Sequence, residues 1–214
     1  MKNLESRIFF QPRVGKNYLS GGVFGKRVMV LGESHYCDGQ CADCGLIAKH
    51  KKCTRFTNDV VNDYLNKDRE RERWMNSFVK FERSLVGHTT EWDDRNEIWD
   101  SVLFYNYLQV AMEKPRKAGS SEQYNQAANA FYDVIDKYMP QFIIAWGKRL
   151  WNSLPGGTRW HWDEPIVIDG YKVQKGYYTI SSGDVAKIIA VYHPSCGYSW
   201  KWWNKVITKF LTNS

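Results

Sequence analysis

Residues 27–53 constrain this chain more than any other stretch. An apolar run, Val28-Met29-Val30-Leu31, is bounded by Lys26-Arg27 and Gly32, which predicts a short buried strand over 27–32. The run leads straight into Gly32-Glu33-Ser34-His35-Tyr36 and then into four of the five cysteines. Small, polar and titratable residues directly after a buried strand mark the rim of a site. In open α/β sheets, ligands sit beyond the carboxyl ends of the strands.

Three more apolar runs share this design. Residues 102–108 end in Asn106-Tyr107-Leu108, residues 142–146 end at Gly147, and residues 187–192 end at His193-Pro194-Ser195. Helical stripes lie between them. Phe56, Val60, Val61, Tyr64 and Leu65 form one, with a start at Thr54 or Thr57. Trp74, Phe78, Phe81 and Leu85 form a second, closed by Gly87. A short acidic helix is expected over 91–100, and Ser120-x-x-Gln123 is a capping box for a long helix ending before Pro140. A short helix over 148–153 and a last helix capped by Ser199 complete the set. Asp169-Gly170 between two short apolar runs, 166–168 and 171–173, predicts a hairpin. The N-terminal Arg7-Ile8-Phe9-Phe10 reads as a short strand or a docking segment.

Alternation of strands and helices argues for an α/β fold with helices on both faces of a largely parallel sheet. The expected architecture is a three-layer α/β/α domain over 1–214, with a central, mostly parallel four-stranded sheet plus a small hairpin, and a cysteine-rich metal loop at 37–53. The four strand ends then bring Gly32, Glu33, Ser34, His35, Asn106, Gly147 and His193 to one edge.

The formal charge of +7 makes phosphate-bearing partners plausible, DNA or another nucleic acid above all. No apolar run reaches the roughly 18 residues of a membrane span, and Met1-Lys2-Asn3-Leu4-Glu5 lacks a signal-peptide core. The expectation is a cytoplasmic monomer with no membrane partner. In that compartment clustered cysteines serve metal or redox chemistry more often than disulfides. The spacing C-x3-C-x2-C-x8-C over Cys37, Cys41, Cys44 and Cys53 suits a tetrahedral zinc site. His35 or His50 is an alternative ligand, and a [4Fe–4S] cluster or free redox thiols are alternative states.

Four strand-end motifs together resemble the uracil-DNA glycosylase-like superfamily. Gly32-Glu33-Ser34-His35-Tyr36 is similar to the first motif, GQDPY in its best-known branch, with Glu second in the iron–sulfur branches. Leu103-Phe104-Tyr105-Asn106 is similar to the strand ending in a base-reading Asn. Phe142-Ile143-Ile144-Ala145-Trp146-Gly147-Lys148 resembles the third strand, and His193-Pro194-Ser195 the last motif. The matches run in family order over about residues 27–200. The resemblance implies hydrolysis of the N-glycosidic bond of a flipped uracil or other damaged base. His193 would donate to O2 of the leaving base and Asn106 would read its edge. Tyr36 would exclude a C5 methyl, Pro194-Ser195 would grip phosphate, and Tyr198 is the nearest match to the wedge. Ser34 stands where the GQDPY branch has Asp, so water positioning falls to Glu33. His35 stands in place of Pro. All four clustered cysteines follow the first motif, whereas in the iron–sulfur branches the first pair precedes it.

Two other readings come from the same residues. The Ser at position 34 motivates a non-catalytic binder of nucleic acid or nucleotides on the same fold. Gly32-Glu33-Ser34 also resembles the Gly-Asp-Ser block of lipase-type Ser hydrolases, with Ser34 as nucleophile and His193 as base. Ala190 occupies the position three before His193 where such enzymes carry an acid.

Overall fold

The computed structural model describes residues 7–37 and 51–212. Its strands are β1 (Arg13–Val14), β2 (Val28–Gly32), β3 (Val102–Asn106), β4 (Phe142–Trp146), β5 (Trp160–Ile168), β6 (Tyr171–Thr179) and β7 (Val185–Val191). Its helices are α1 (Phe56–Tyr64), α2 (Met75–Val86), α3 (Trp92–Asp100), α4 (Ser121–Tyr138), α5 (Lys148–Ser153) and α6 (Trp200–Thr212).

Every residue of β2, β3 and β4 is buried. Parallel strands covered on both faces require such unbroken apolar runs. With β7 they pair in parallel in the order β3-β2-β4-β7. Alternate side chains then enter two different cores. Val28, Val30, Phe104, Ile144 and Ile189 pack with residues of α1, α2, α3 and α6. Met29, Leu31, Tyr105, Ile143 and Ile188 pack with residues of α4 and α5. Ser120 caps α4 as expected: Ser120 Oγ accepts from the Gln123 backbone N–H at 3.2 Å, and the Ser120 N–H donates to Gln123 Oε1 at 2.8 Å.

The sheet itself corrects the four-strand expectation. It is one mixed sheet of seven strands among the described residues, in the order β1-β3-β2-β4-β7-β6-β5. The hairpin is part of it. Its second arm, β6, pairs antiparallel with β7 and covers the edge that a four-stranded sheet would leave open. Its arms extend well beyond the apolar stretch because their outer positions are polar: His161, Glu164, Lys172 and Gln174. The Asp-Gly turn holds, with Asp169 at φ 50° and Gly170 at φ 80°. Pro165 sits in β5, where the register shifts between Asp163 and Ile166. A proline is tolerated there because β5 is an edge strand. At the other edge, β1 pairs antiparallel with β3; two residues are too few to show any period in sequence.

Two boundaries also move. β3 stops at Asn106 rather than running to 108, because the Tyr107 and Leu108 N–H groups turn to the carbonyls of Gly32 and Glu33. Arg7-Ile8-Phe9-Phe10 is a docking segment. Phe10 is fully buried, and the Phe9 and Phe10 N–H groups donate to Gln109 Oε1 at 2.8 and 3.2 Å. No helix among the described residues is long and apolar enough to cross a membrane.

Candidate functional site

The parallel strands end in register. Gly32 lies opposite Asn106, Leu31 opposite Ala145, and Trp146 opposite Val191. Glu33-Ser34-His35, Asn106, Gly147 and His193 therefore leave the sheet on one edge. The backbone pins the first motif to the segment after β3: the Met112 N–H donates to the His35 carbonyl, and the Cys37 N–H to the Met112 carbonyl.

Glu33 and His193 form the polar part of the edge. The Glu33 carboxylate is 9% exposed and ion-paired to Arg149, whose Nε donates to Oε1 at 2.7 Å. The Tyr124 hydroxyl donates to the same oxygen, so both hydrogen bonds fall on Oε1. Burial, helped by Glu33, pushes the Tyr124 phenol up to about 12, which keeps it a donor. His193 Nδ1 accepts from the Ser195 backbone N–H at 3.2 Å and lies 2.8 Å from Ser195 Oγ. A backbone N–H aimed at Nδ1 fixes the neutral tautomer with its proton on Nε2. Burial lowers the His193 pKa below its ordinary value, with Glu33 opposing and Arg149 adding to the effect. His193 is thus a neutral Nε2–H donor at neutral pH. Gly147, at φ 100°, turns the chain at the end of β4; a Cβ there would lie 3.5 Å from that of His193.

Asn106 and His35 form the second part. His35 is 4% exposed and stacks on Phe56 with centroids 4.5 Å apart. Its Nε2 bonds Thr57 Oγ1 at 2.9 Å, and Asn106 Nδ2 lies 3.2 and 3.1 Å from its ring nitrogens. Asn106 Oδ1 lies across Gly32, where a Cβ would come within 2.1 Å of it. Glycine is what admits this amide. His35 is thus buried, as is Asn106 at 5% exposed, and its ring packs against the Asn106 amide.

Burial pushes the His35 pKa down to about 3. Below about pH 6.5 the unfolded chain takes a proton that the folded ring refuses, so stability falls as pH falls. His35 is expected to contribute a loss of about 1.4 kcal/mol per pH unit from pH 6.5 towards pH 3. Urea unfolding between pH 7 and 4 measures it. His35→Gln should flatten that slope by about one proton; an unchanged slope refutes the assignment.

The remaining expected residues scatter. Tyr36 is 43% exposed and bridges to Met112. Ser34 is half-buried, Pro194 buried and Ser195 exposed. The hydrogen bonds of His193 go to Ser195 and not to Ser34, so a Ser34–His193 nucleophile pair is not formed. Tyr198 is 7% exposed, bonds Ser84 Oγ at 2.7 Å and stacks on Trp203. Its ring lies in the core against Trp203 of α6. Cys37 and Cys53 are free and half-buried, and both pack against the small cluster around Phe10 and Ala111. Cys41, Cys44 and His50 lie outside the described residues. No metal-holding group of three or more His, Cys, Asp or Glu occurs among the described residues.

Sequence reasoning missed Arg149, Tyr124 and Thr57. Arg149 stands two residues after the Gly147 strand end, which was the available signal. Tyr124 reads as part of an apolar helical stripe, and its ring does pack there; only the hydroxyl reaches the site. No family model and no curated protein matches the chain.

Proposed function

We propose that the protein is a uracil-DNA glycosylase-like hydrolase that cleaves the N-glycosidic bond of uracil or another damaged base in DNA, on a three-layer α/β/α fold. One observation carries this reading: an anchored carboxylate, Glu33, and a neutral imidazole donor, His193, share one strand edge. In the proposed reaction a flipped base enters beyond the strand ends. As the bond from C1′ to the base nitrogen breaks, its electron pair leaves with the base, and the His193 Nε2–H donates to the charge developing on O2. Glu33 Oε2 positions a water whose oxygen bonds C1′ and takes up the proton released. Arg149 and Tyr124 hold Oε1 and so fix the carboxylate's direction. Asn106 reads the base edge, Tyr36 stands beside C5, and Ser195 meets phosphate.

The test is release of base from uracil-containing oligonucleotides, single- and double-stranded, scored as abasic sites. Formation of abasic sites supports the reading; none on either substrate, with metal intact, sinks it. Ser34, which supplies no base where the resembling branch has Asp, favours a second reading: a nucleic-acid or nucleotide binder without chemistry. That reading requires salt-sensitive binding with no base release.

The cysteine loop completes the proposal. Cys37 and Cys53, the two ends of the set, form no disulfide and pack on the same cluster, which suits closure of the loop by a thiolate-bound metal. With Cys41 and Cys44 they would hold zinc, or alternatively a [4Fe–4S] cluster, as a structural cross-link in a reducing cytoplasm. Elemental analysis is expected to find about one zinc per chain, as a tetrathiolate site binds one ion. Cys53→Ser should lose it and lower the melting temperature. A brown protein with a visible charge-transfer band replaces zinc by a cluster; a metal-free, colourless protein of unaltered melting temperature in chelator rejects both.

A further inference from the structure

We propose that the trough between the β5–β6 hairpin, α5 and α6 is a stacking track for single-stranded DNA that leads into the strand-edge site. The choice of DNA rests on the function proposed above; the track itself rests on its own residues. The trough encloses a cavity of about 930 Å³. It shares Trp151, Asn152, Trp162 and Gln174 with a neighbouring hollow of about 430 Å³.

Its walls are aromatic and outward-facing. Trp162 is 63%, Tyr171 69% and Tyr192 46% exposed. Such rings are held in place and not loose. Trp160 and Trp162, two residues apart, share one face of β5. The ring of Trp160 covers Gly176, where a Cβ would fall 2.3 Å from it. Trp162 then meets Trp160 and Trp151 edge-on, with centroids 5.2 and 6.0 Å apart. Its open face is left to a ligand. Tyr171 is similarly set edge-on against Trp202.

Charge selects the ligand. Three lysines line the trough, Lys148, Lys172 and Lys175, against a single carboxylate, Asp163. Lys175 pairs with that carboxylate at 3.0 Å, and Lys148 lies over the Tyr192 ring at 5.1 Å. Flat π faces interleaved with cations fit a strand whose bases are unstacked and whose phosphates are exposed. Position gives the direction. Lys148 and Tyr192, which line the trough, are the chain neighbours of Gly147 and His193, so one end of the trough lies beside the proposed site. A duplex, with its bases already stacked, lacks the faces these rings require.

The test is fluorescence anisotropy of the full chain with labelled oligo-dT of about 15 nucleotides, a few times the contact length of a stacking groove. Oligo-U, a dT·dA duplex and heparin, a polyanion without bases, are the comparisons. Trp162→Ala is expected to weaken oligo-dT binding about fivefold or more, the lower end of what one stacked base contributes. Lys172→Glu should reduce the salt dependence by about one phosphate contact. Both positions are exposed, and thermal melts matching the parent show that the variants fold. Oligo-dT binding within twofold of the parent in both Trp162→Ala and Tyr171→Ala overturns the track, as does equal binding of heparin. Tighter binding of duplex or of oligo-U overturns its assignment to single-stranded DNA. The probe carries no uracil in DNA. Binding lost with Trp162 but no base release by the parent therefore rejects the hydrolase alone. Base release by the parent with binding indifferent to Trp162 rejects the track alone.

Discussion

Replacing Glu82 by alanine is expected to cost about 3–5 kcal/mol of stability, the range for breaking a buried charge pair by removing one partner. Glu82 lies on α2 and is fully buried. Its Oε2 accepts from the Tyr64 hydroxyl at 2.6 Å and from Trp99 Nε1 at 3.2 Å. Its Oε1 accepts from Arg95 Nε at 3.0 Å and from the Thr90 hydroxyl. One carboxylate thus ties α1, α2, α3 and the segment before α3 inside an apolar core. Burial, and next the charge of Glu82, hold the Tyr64 phenol above its ordinary range, so it remains a donor. The alanine leaves a largely buried guanidinium without its counter-charge and three further donors without an acceptor. Glu82→Gln keeps the volume but turns an amide NH2 towards donors, so it should fall between parent and alanine. Urea denaturation at neutral pH measures both. A loss below about 1 kcal/mol for the alanine would mean that water replaces the carboxylate, and the network would then be incidental.

Legibility from sequence followed burial. The strand β4 and the helix α5 match their expected bounds residue for residue, and β2 falls within one residue. A strand buried on both faces must be apolar throughout, and little else produces such a run. The capping box of α4 was equally visible because its chemistry is local. What escaped notice was set at long range. β1 is a strand only because β3 offers it an edge. The outer halves of β5 and β6 carry polar residues because one of their faces meets water, so no apolar run announces them. Glu82 looks like any charged residue on an amphipathic helix until α1 and α3 converge on it.

The candidate site divides the same way. The shared edge was readable, since four strands ending in polar or glycine positions must share an edge once they are parallel. The roles were not. His35 is the fourth residue of the first motif, and Phe56 and Thr57, from beyond the cysteine loop, close over its ring. Tyr198 follows the last motif but lies under α6, held by Ser84. Both outcomes depend on which helix packs against the motif, and a strand-end pattern carries no information about that.

Under the proposed reaction, Glu33→Gln is expected to lower the rate of base release by about 10²–10⁴-fold, the usual contribution of a positioned general base. The fold should be little affected. A Gln side chain with its carbonyl in place of Oε1 still accepts from Arg149 and Tyr124, and only the charge and the basic oxygen are lost. His193→Ala is expected to lower the rate by about 10²–10³-fold, as for loss of one donor to a developing anion. His193→Gln retains an N–H and should recover part of that loss. The neutral state of His193 sharpens the test further. With its pKa lowered by burial, His193 Nδ1 still accepts from Ser195 at the ordinary histidine value, so an acid limb due to this ring should fall below that value. A sharp acid limb at the ordinary value of about 6.5 in the parent, absent from His193→Gln, would contradict that picture. In the proposed reaction the two residues act on different atoms, Glu33 on the attacking water and His193 on the departing base. Groups that act independently give multiplicative losses, whereas groups that work as one unit do not. The double variant should therefore fall by the product of the two single losses. If it falls no further than the worse single variant, Glu33 and His193 form one coupled device, and the separation of roles argued from their geometry is wrong.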